Sequence, residues 1–168
     1  YNSNSRSPFT DYKIRPEMLL SGYSVETVKR LIDKGVASDY ARPYASAYLL
    51  DTSDKLRNVR SYTYRSTVKM FERVLNIEQI KADAIRHKES VMFYFTGQSH
   101  IRFVDQNVYL PGAIADHLTS AGGDLFSSYQ MSILEWIEAG VTGTYGAVVE
   151  PCNFVQKFPQ PAIVMEKY

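Results

Sequence analysis

Residues able to act as nucleophiles or proton carriers gather in the second half of the chain. Asp116, His117 and Ser120 stand close together, with His100 upstream and Cys152 downstream. A serine or cysteine beside a histidine is the pattern of nucleophilic hydrolysis, because the imidazole removes the proton that keeps the hydroxyl or thiol unreactive. One hypothesis is therefore a hydrolase whose nucleophile is Ser120 or Cys152. Its base would be His100 or His117.

The surroundings of both nucleophiles favour a simpler interpretation. Neighbouring residues on a strand point to opposite faces, so Asp116 and His117 do not both serve Ser120 in a simple way. Ser120 also opens the run SAGG, whose residues are ordinary turn formers. Cys152 follows Pro151 in a polar stretch, and a reactive thiolate needs a base or a helix N-terminus beside it. A turn serine and an inert cysteine are the alternatives that the sequence favours.

The sequence gives little support for a metal or cofactor site. The three histidines are scattered without a His-x-x-x-His pattern, and the single cysteine excludes both an internal disulfide and a multi-cysteine zinc site. The SAGG turn lacks the lysine of a P-loop, so it is a weak phosphate cradle. We expect no cofactor and no metal.

Composition and charge narrow the class of partner. The 168 residues carry 19 Lys and Arg against 18 Asp and Glu, a formal net charge of +1. Such a balance gives no strong field toward nucleic acid or anionic lipid. Basic residues alternate with tyrosines between Lys55 and Arg65, as in single-strand nucleic-acid binding, but a solvated loop and helix entry gives the same string. No apolar run approaches the roughly 18 residues that span a bilayer. We expect protein partners, no nucleic acid and no membrane insertion.

Apolar periodicity predicts alternating helices and strands. The predicted elements are, in order, a helix over 24–34 capped by Ser24 and ended by Gly35, a strand within 45–54, a helix over 66–75, helix or turn over 77–90, a strand over 91–97, a strand over 113–118, a helix over 129–139 capped by Ser128, and a last strand over 141–150. The run over 91–97 is apolar on both faces and should be the central strand. Glycines in the last strand predict a close backbone neighbour.

This alternation predicts an α/β domain over 16–168, with a mainly parallel sheet and helices on both faces. Residues 1–15, bracketed by Pro8 and Pro16, are predicted as an extended arm. Because the chain starts at Tyr1 and ends at Tyr168, we expect it to be part of a longer protein. Ligands of such sheets bind beyond the carboxyl ends of the strands. The candidate ligand-binding residues there are Thr96, Gly97, Thr119, Ser120, Gly122, Gly123 and Glu150.

Long stretches of the chain resemble a family of uncharacterised exported bacterial proteins. ADHLTSAGG over 115–123 and GVTGTYGAVVEPCNFVQKFP over 140–159 are similar to the family patterns ADHLTS-x-GG and GATGSYGTVVEPC-x-x-PQKFP. TDYKIRPEMLLSGYS, LLDTSDKLRNVR and VMFYFTG follow the same family in the same order. Its members are longer at both ends and often carry an export signal. The resemblance therefore implies an exported parent protein, periplasmic or extracellular.

That family is in turn similar to the caspase-haemoglobinase fold, which includes gingipain-like cysteine peptidases. In those enzymes one strand ends in a catalytic His-Gly and the next in a Cys before a glycine turn. The matching strand ends here read Thr96-Gly97 and Thr119-Ser120-Ala121-Gly122, without that histidine or cysteine. The resemblance implies a caspase-like three-layer sandwich with a degenerate active-site edge. We expect a non-catalytic module for binding or assembly, with the hydrolase as the alternative.

Overall fold

A four-stranded sheet forms the centre of the protein. The structure is a computed structural model that describes residues 8–13, 18–41, 44–149 and 154–167. Its strands are β1 (Ser46–Asp51), β2 (Asn76–Lys81), β3 (Val91–Thr96) and β4 (Tyr109–His117). They lie in the order β2-β1-β3-β4, and every pairing is parallel. The predicted α/β class with a parallel sheet is confirmed.

The helices are short, apart from one. They are α1 (Pro8–Tyr12), α2 (Val25–Ser38), α3 (Tyr64–Phe71), α4 (Leu134–Glu138) and α5 (Pro161–Lys167). A 3-10 turn over Ser61–Thr63 leads into α3, and two more lie at Val104–Gln106 and Val155–Lys157. Among the helices of the described ranges, none combines the length and apolar content that crossing a lipid bilayer requires.

Both faces of β3 are covered. All six of its residues are buried, as the prediction of a central strand requires. Tyr94 meets the ring of Trp136 from α4 at a centroid distance of 5.0 Å. Phe95 meets the Arg60 guanidinium, which lies 5.8 Å from the ring centroid. Because consecutive residues of a strand face opposite sides, Trp136 and Arg60 pack on opposite faces of the sheet.

The segment 77–90, predicted as helix or turn, instead begins within the edge strand β2. Its register against β1 runs from Ser46↔Asn76 to Asp51↔Lys81. In β2 only Ile77, Glu78 and Ile80 are partly buried, and the remaining side chains are exposed. An edge strand keeps one side in water and tolerates charge, so NIEQIK lacks the apolar density that identifies a strand in sequence.

Helix α2 begins as predicted and ends later than predicted. The Ser24 side chain accepts a hydrogen bond from the Thr27 backbone N–H at 3.1 Å, which confirms the N-cap. The predicted stop at Gly35 is wrong, because the helix continues to Ser38. A glycine inside a helix weakens it without ending it, and Gly35 is not in the left-handed conformation that ends helices.

The predicted helix over 129–139 is shortened to α4. Its first residues bond to other parts of the chain: Gln130 N–H donates to Ser128 Oγ at 3.0 Å and Met131 N–H to the Ser99 carbonyl at 2.9 Å. The Ile133 N–H, which would donate to the Tyr129 carbonyl in a helix that starts at Tyr129, donates instead to the Gly122 carbonyl at 2.9 Å, so the helical ladder does not form there. The periodic apolar residues still face inward, and Trp136 is completely buried.

The predicted last strand is wrong for its described part, residues 141–149. Its contact with the sheet is a single parallel bridge between Ile114 and Gly143. The chain then turns toward the loop after β4, where Gly123 N–H donates to the Ala147 carbonyl at 2.9 Å. A Cβ at Gly146 would lie 2.6 Å from the Gly123 nitrogen. The prediction of a close backbone neighbour is confirmed at Gly146 but not at Gly143, where a Cβ would meet only the Ile114 side chain at 3.6 Å.

The predicted arm over 1–15 is described only at 8–13. There the prediction of extended chain is wrong, because Pro8–Tyr12 form α1. Proline favours the first position of a helix, since its φ is already helical and its missing N–H is not needed there. Lys13 follows at φ 58°, a left-handed conformation that ends the helix.

Candidate functional site

The candidate residues follow the carboxyl ends of β3 and β4, at one edge of the sheet. Thr96 ends β3 and His117 ends β4, and the two pair in register. Glu150 and Cys152 lie outside the described residues. The edge is therefore built from the loops that follow β1, β3 and β4, together with the chain around Met131.

His117 is held by two hydrogen bonds. Its side chain is only 1% exposed. Its Nε2–H donates to the Met131 carbonyl at 2.9 Å, and its Nδ1 accepts the indole N–H of Trp136 at 2.9 Å. Burial lowers the pKa of the His117 imidazole, so the neutral form is favoured. A neutral imidazole has one N–H and one lone pair, and both are used here.

Asp116 points to the opposite face, as strand alternation requires. Its carboxylate forms an ion pair with the guanidinium of Arg60, and both side chains are almost completely buried. Arg60 also donates to the Thr96 carbonyl at 3.0 Å and to the Pro159 carbonyl at 2.9 Å. Burial has the largest effect and opposes the charge of Arg60, but the charges and hydrogen bonds of Asp116 and Tyr64 together outweigh it, and the pKa of Arg60 is raised.

Arg60 is the edge residue that the sequence did not single out. It stood among the basic residues of a loop predicted to be solvated, together with Lys55, Arg57 and Arg65. In the fold it joins the loop after β1 to β3, β4 and the chain that leads to α5. A buried aspartate on β4 requires a cation, which is the sequence signal that could have found this contact.

Buried polar atoms without a hydrogen-bond partner concentrate at this edge. Among the described residues, these side-chain atoms are Arg57 Nε, Arg60 Nε, Thr96 Oγ1, Asp116 Oδ1, Thr119 Oγ1, Gln130 Nε2 and Thr144 Oγ1. Such atoms are rare in folded proteins. Their concentration distinguishes the loops at the carboxyl ends from the rest of the sheet.

The glycine turn after β4 is occupied by its own neighbours. Ala121 N–H donates to Gln130 Oε1 at 3.0 Å, and Gly123 N–H donates to the Ala147 carbonyl. A Cβ at Gly122 would lie 2.5 Å from Thr119 Oγ1 and 3.1 Å from the Met131 carbonyl oxygen. These N–H groups are therefore not directed at an oxyanion or a phosphate, which need free donors.

Gly97 serves a close approach between backbones. A Cβ at Gly97 would lie 2.3 Å from the Arg57 carbonyl oxygen. The hydroxyl of Thr52 donates to the Gly97 carbonyl at 2.7 Å. Glycine at this position lets the loop after β1 pack directly onto the end of β3.

His100 faces a separate cavity. This cavity measures about 390 Å³, and its lining includes Tyr23, His100, Phe126, Gln130 and Glu135, but not Ser120. We call it the aromatic cavity. His100 is exposed, with Nδ1 3.3 Å from Ser99 Oγ.

The described residues contain no cluster of three or more histidine, cysteine or acidic side chains placed to hold a metal. Comparison of the chain with protein-family models, curated proteins and solved structures finds no match in any of the three. The fold defines a parallel α/β domain. The family resemblance, which rests on the sequence motifs, stays a prediction.

Proposed function

We propose that this chain is a non-catalytic, exported α/β domain that acts by binding other proteins. The observation that carries the proposal is the fully bonded state of His117. A general base needs a free lone pair within reach of its substrate. The Nδ1 of His117 holds the Trp136 indole N–H, and its Nε2 proton is held by Met131.

The remainder of the edge supports the same function. Asp116, which a triad would need as the partner of its histidine, forms an ion pair with Arg60 on the other face of the sheet. The N–H groups of Ala121 and Gly123, which an oxyanion hole would use, bond within the protein. The hydrolase alternative, with Ser120 or Cys152 as nucleophile, would then depend on His100 as its base.

The proposal includes the likeness to the caspase-haemoglobinase fold and to the exported bacterial family. The parallel order β2-β1-β3-β4 supports it, as does the position of Thr96-Gly97 and Thr119-Ser120 after β3 and β4. A sheet of this kind that has lost the histidine and cysteine of a peptidase retains its loops as a binding surface.

The binding surface that we propose surrounds the aromatic cavity. Phe126 is 74% exposed and Tyr129 is 76% exposed, and both lie in the turn between β4 and α4. Tyr23 is exposed beside Phe126, with the ring centroids 6.4 Å apart. Exposed aromatic side chains are enriched where protein partners bind, because they bury a large apolar area on contact.

Site-specific photo-crosslinking tests this function. A benzoylphenylalanine would replace Phe126 or Tyr129 in the protein, expressed in its own host, and a third variant would carry it at Tyr62. Tyr62 is an equally exposed tyrosine, at 75%, and belongs to the 3-10 turn before α3. We expect discrete crosslinked products from positions 126 and 129 and none from position 62. No crosslink at either aromatic position would overturn the proposal.

A further inference from the structure

The aromatic cavity contains a carboxylate without a cationic partner. Glu135 is exposed and accepts a hydrogen bond from the Tyr23 hydroxyl at 2.9 Å. No lysine or arginine in the described part of the chain pairs with it. Its neighbour on α4, Glu138, differs, because Arg30 Nη2 lies 3.2 Å from that carboxylate. The negative charge of Glu135 is therefore available to a ligand.

Two aromatic rings stand beside this carboxylate. Tyr23 and Phe126 meet edge to face, at 63° between the ring planes. Several described lysines and arginines lie close to aromatic rings, but those rings are Phe9, Tyr48, Phe95, Phe103 and Phe154. No lysine or arginine in the described ranges covers the faces of Tyr23 and Phe126.

The Tyr23 hydroxyl orients the carboxylate. Burial, and then the hydrogen bond and charge of Glu135, raise the pKa of Tyr23, so its hydroxyl keeps the proton that it donates. This bond fixes one oxygen of Glu135, and the carboxylate can accept further hydrogen bonds. A cation that enters the cavity would meet an oriented carboxylate and aromatic faces together.

These features match an arginine side chain. A guanidinium stacks on aromatic rings and donates several N–H groups to a carboxylate in a planar arrangement, whereas an ammonium is more strongly hydrated. A cavity of about 390 Å³ has room for one long side chain with some adjoining backbone. The Ser128 hydroxyl in its lining, which accepts the Gln130 N–H, can still donate to a carbonyl of a peptide backbone.

We propose that the aromatic cavity binds an arginine side chain of a protein partner. The guanidinium would contact the rings of Tyr23 and Phe126 and pair with the carboxylate of Glu135. This inference rests on the proposed function, and it names the chemistry of the partner. A neutral side chain of the same shape should bind poorly, because it lacks the charge that Glu135 attracts.

Calorimetric titration with blocked tripeptides tests the inference. The probes are acetyl-Gly-Arg-Gly-amide, its lysine counterpart, and its citrulline counterpart, which keeps the planar shape without the charge. We expect the arginine peptide to bind saturably. The affinities of the citrulline and lysine peptides should be lower by roughly tenfold. Added salt should weaken the binding of the arginine peptide, since ion pairs of exposed groups are screened. Equal binding of the citrulline or lysine peptide, or no saturable binding, would overturn the inference.

Two variants locate the site. Glu135→Gln keeps an acceptor for Tyr23 and removes the charge, so it should lower the affinity for the arginine peptide by roughly tenfold. Glu166→Gln, at an exposed position of α5, removes the same charge elsewhere and should change nothing. Unaltered affinity in Glu135→Gln would contradict the inference. Crosslinks at Phe126 without arginine binding would leave the proposed function intact and remove the arginine assignment alone.

Discussion

The indole N–H of Trp136 donates to Nδ1 of His117 at 2.9 Å, inside the core and beyond the reach of solvent. The two rings lie 5.9 Å apart between centroids. This contact ties α4 to the end of β4. It also takes up the lone pair that His117 would need in order to act as a base.

Trp136→Phe should destabilise the fold. The phenyl ring retains much of the apolar contact but leaves the buried Nδ1 of His117 without a donor, which costs about 1–3 kcal/mol. Urea unfolding followed by circular dichroism measures the difference. The control Tyr129→Phe alters an exposed ring and should stay within about 0.5 kcal/mol of the parent. Equal stabilities for the two variants would contradict this role of the indole N–H.

Stability should fall in mild acid because of His117. Its pKa in the folded protein lies below the ordinary value of histidine, because burial disfavours the charged form. The unfolded chain therefore takes up more protons as the pH drops through the ordinary range near 6.5, and stability is lost toward low pH. One such group contributes a slope of at most about 1.4 kcal/mol per pH unit. His117→Gln should flatten the profile between pH 7 and 5, whereas the exposed control His87→Gln should not.

Removing Arg60 alone should destabilise the fold strongly, whereas replacing Arg60 and Asp116 together should destabilise it much less. Arg60→Met leaves the buried carboxylate of Asp116 unpaired and should cost about 3–5 kcal/mol. The double variant Arg60→Met with Asp116→Leu removes both charges and should recover most of that loss. Chemical denaturation of both variants measures this recovery. Glu78→Gln serves as the control, because its contact with Lys88 at 3.9 Å is partly open to solvent and is worth about 1 kcal/mol or less.

Two glycine substitutions should change the stability of the fold in opposite directions. Gly97→Ala places a methyl group 2.3 Å from the Arg57 carbonyl oxygen, where backbone must move, and should destabilise by about 1–3 kcal/mol. Gly35→Ala, inside α2, meets nothing within 4 Å and should stabilise by about 0.5–1 kcal/mol. Thermal unfolding of the pair provides the test. A loss of stability in both would show that helix α2 cannot accept a side chain at this position.

The sequence predicted the elements whose signal is local. The central strand β3 is a dense apolar run between polar neighbours, and Ser24 precedes a helical pattern directly. The edge strand β2 was missed because an edge needs few apolar residues. The start of α4 was misplaced because Ile133 donates its N–H to Gly122 and not to Tyr129, a contact that no local pattern reveals.

The candidate site depended on contacts between distant parts of the chain. Alternation along β4 correctly separated Asp116 from His117, since one faces Arg60 and the other Trp136. Neither partner was identified from the sequence, because Arg60 resembled any loop arginine and Trp136 resembled any core aromatic residue. The aromatic cavity escaped notice for the same reason, because Tyr23 meets Glu135 only in the folded protein.

The most direct test of the non-catalytic account is covalent labelling with a fluorophosphonate and with a peptide acyloxymethyl ketone, followed by peptide mass spectrometry. A serine or cysteine hydrolase reacts with such probes at its nucleophile, because a neighbouring histidine activates it. We expect no adduct at Ser120, and no adduct at Cys152 that depends on a histidine, under conditions that fully label control hydrolases. Stoichiometric labelling at either residue that is lost in His100→Ala or His117→Gln would contradict the account.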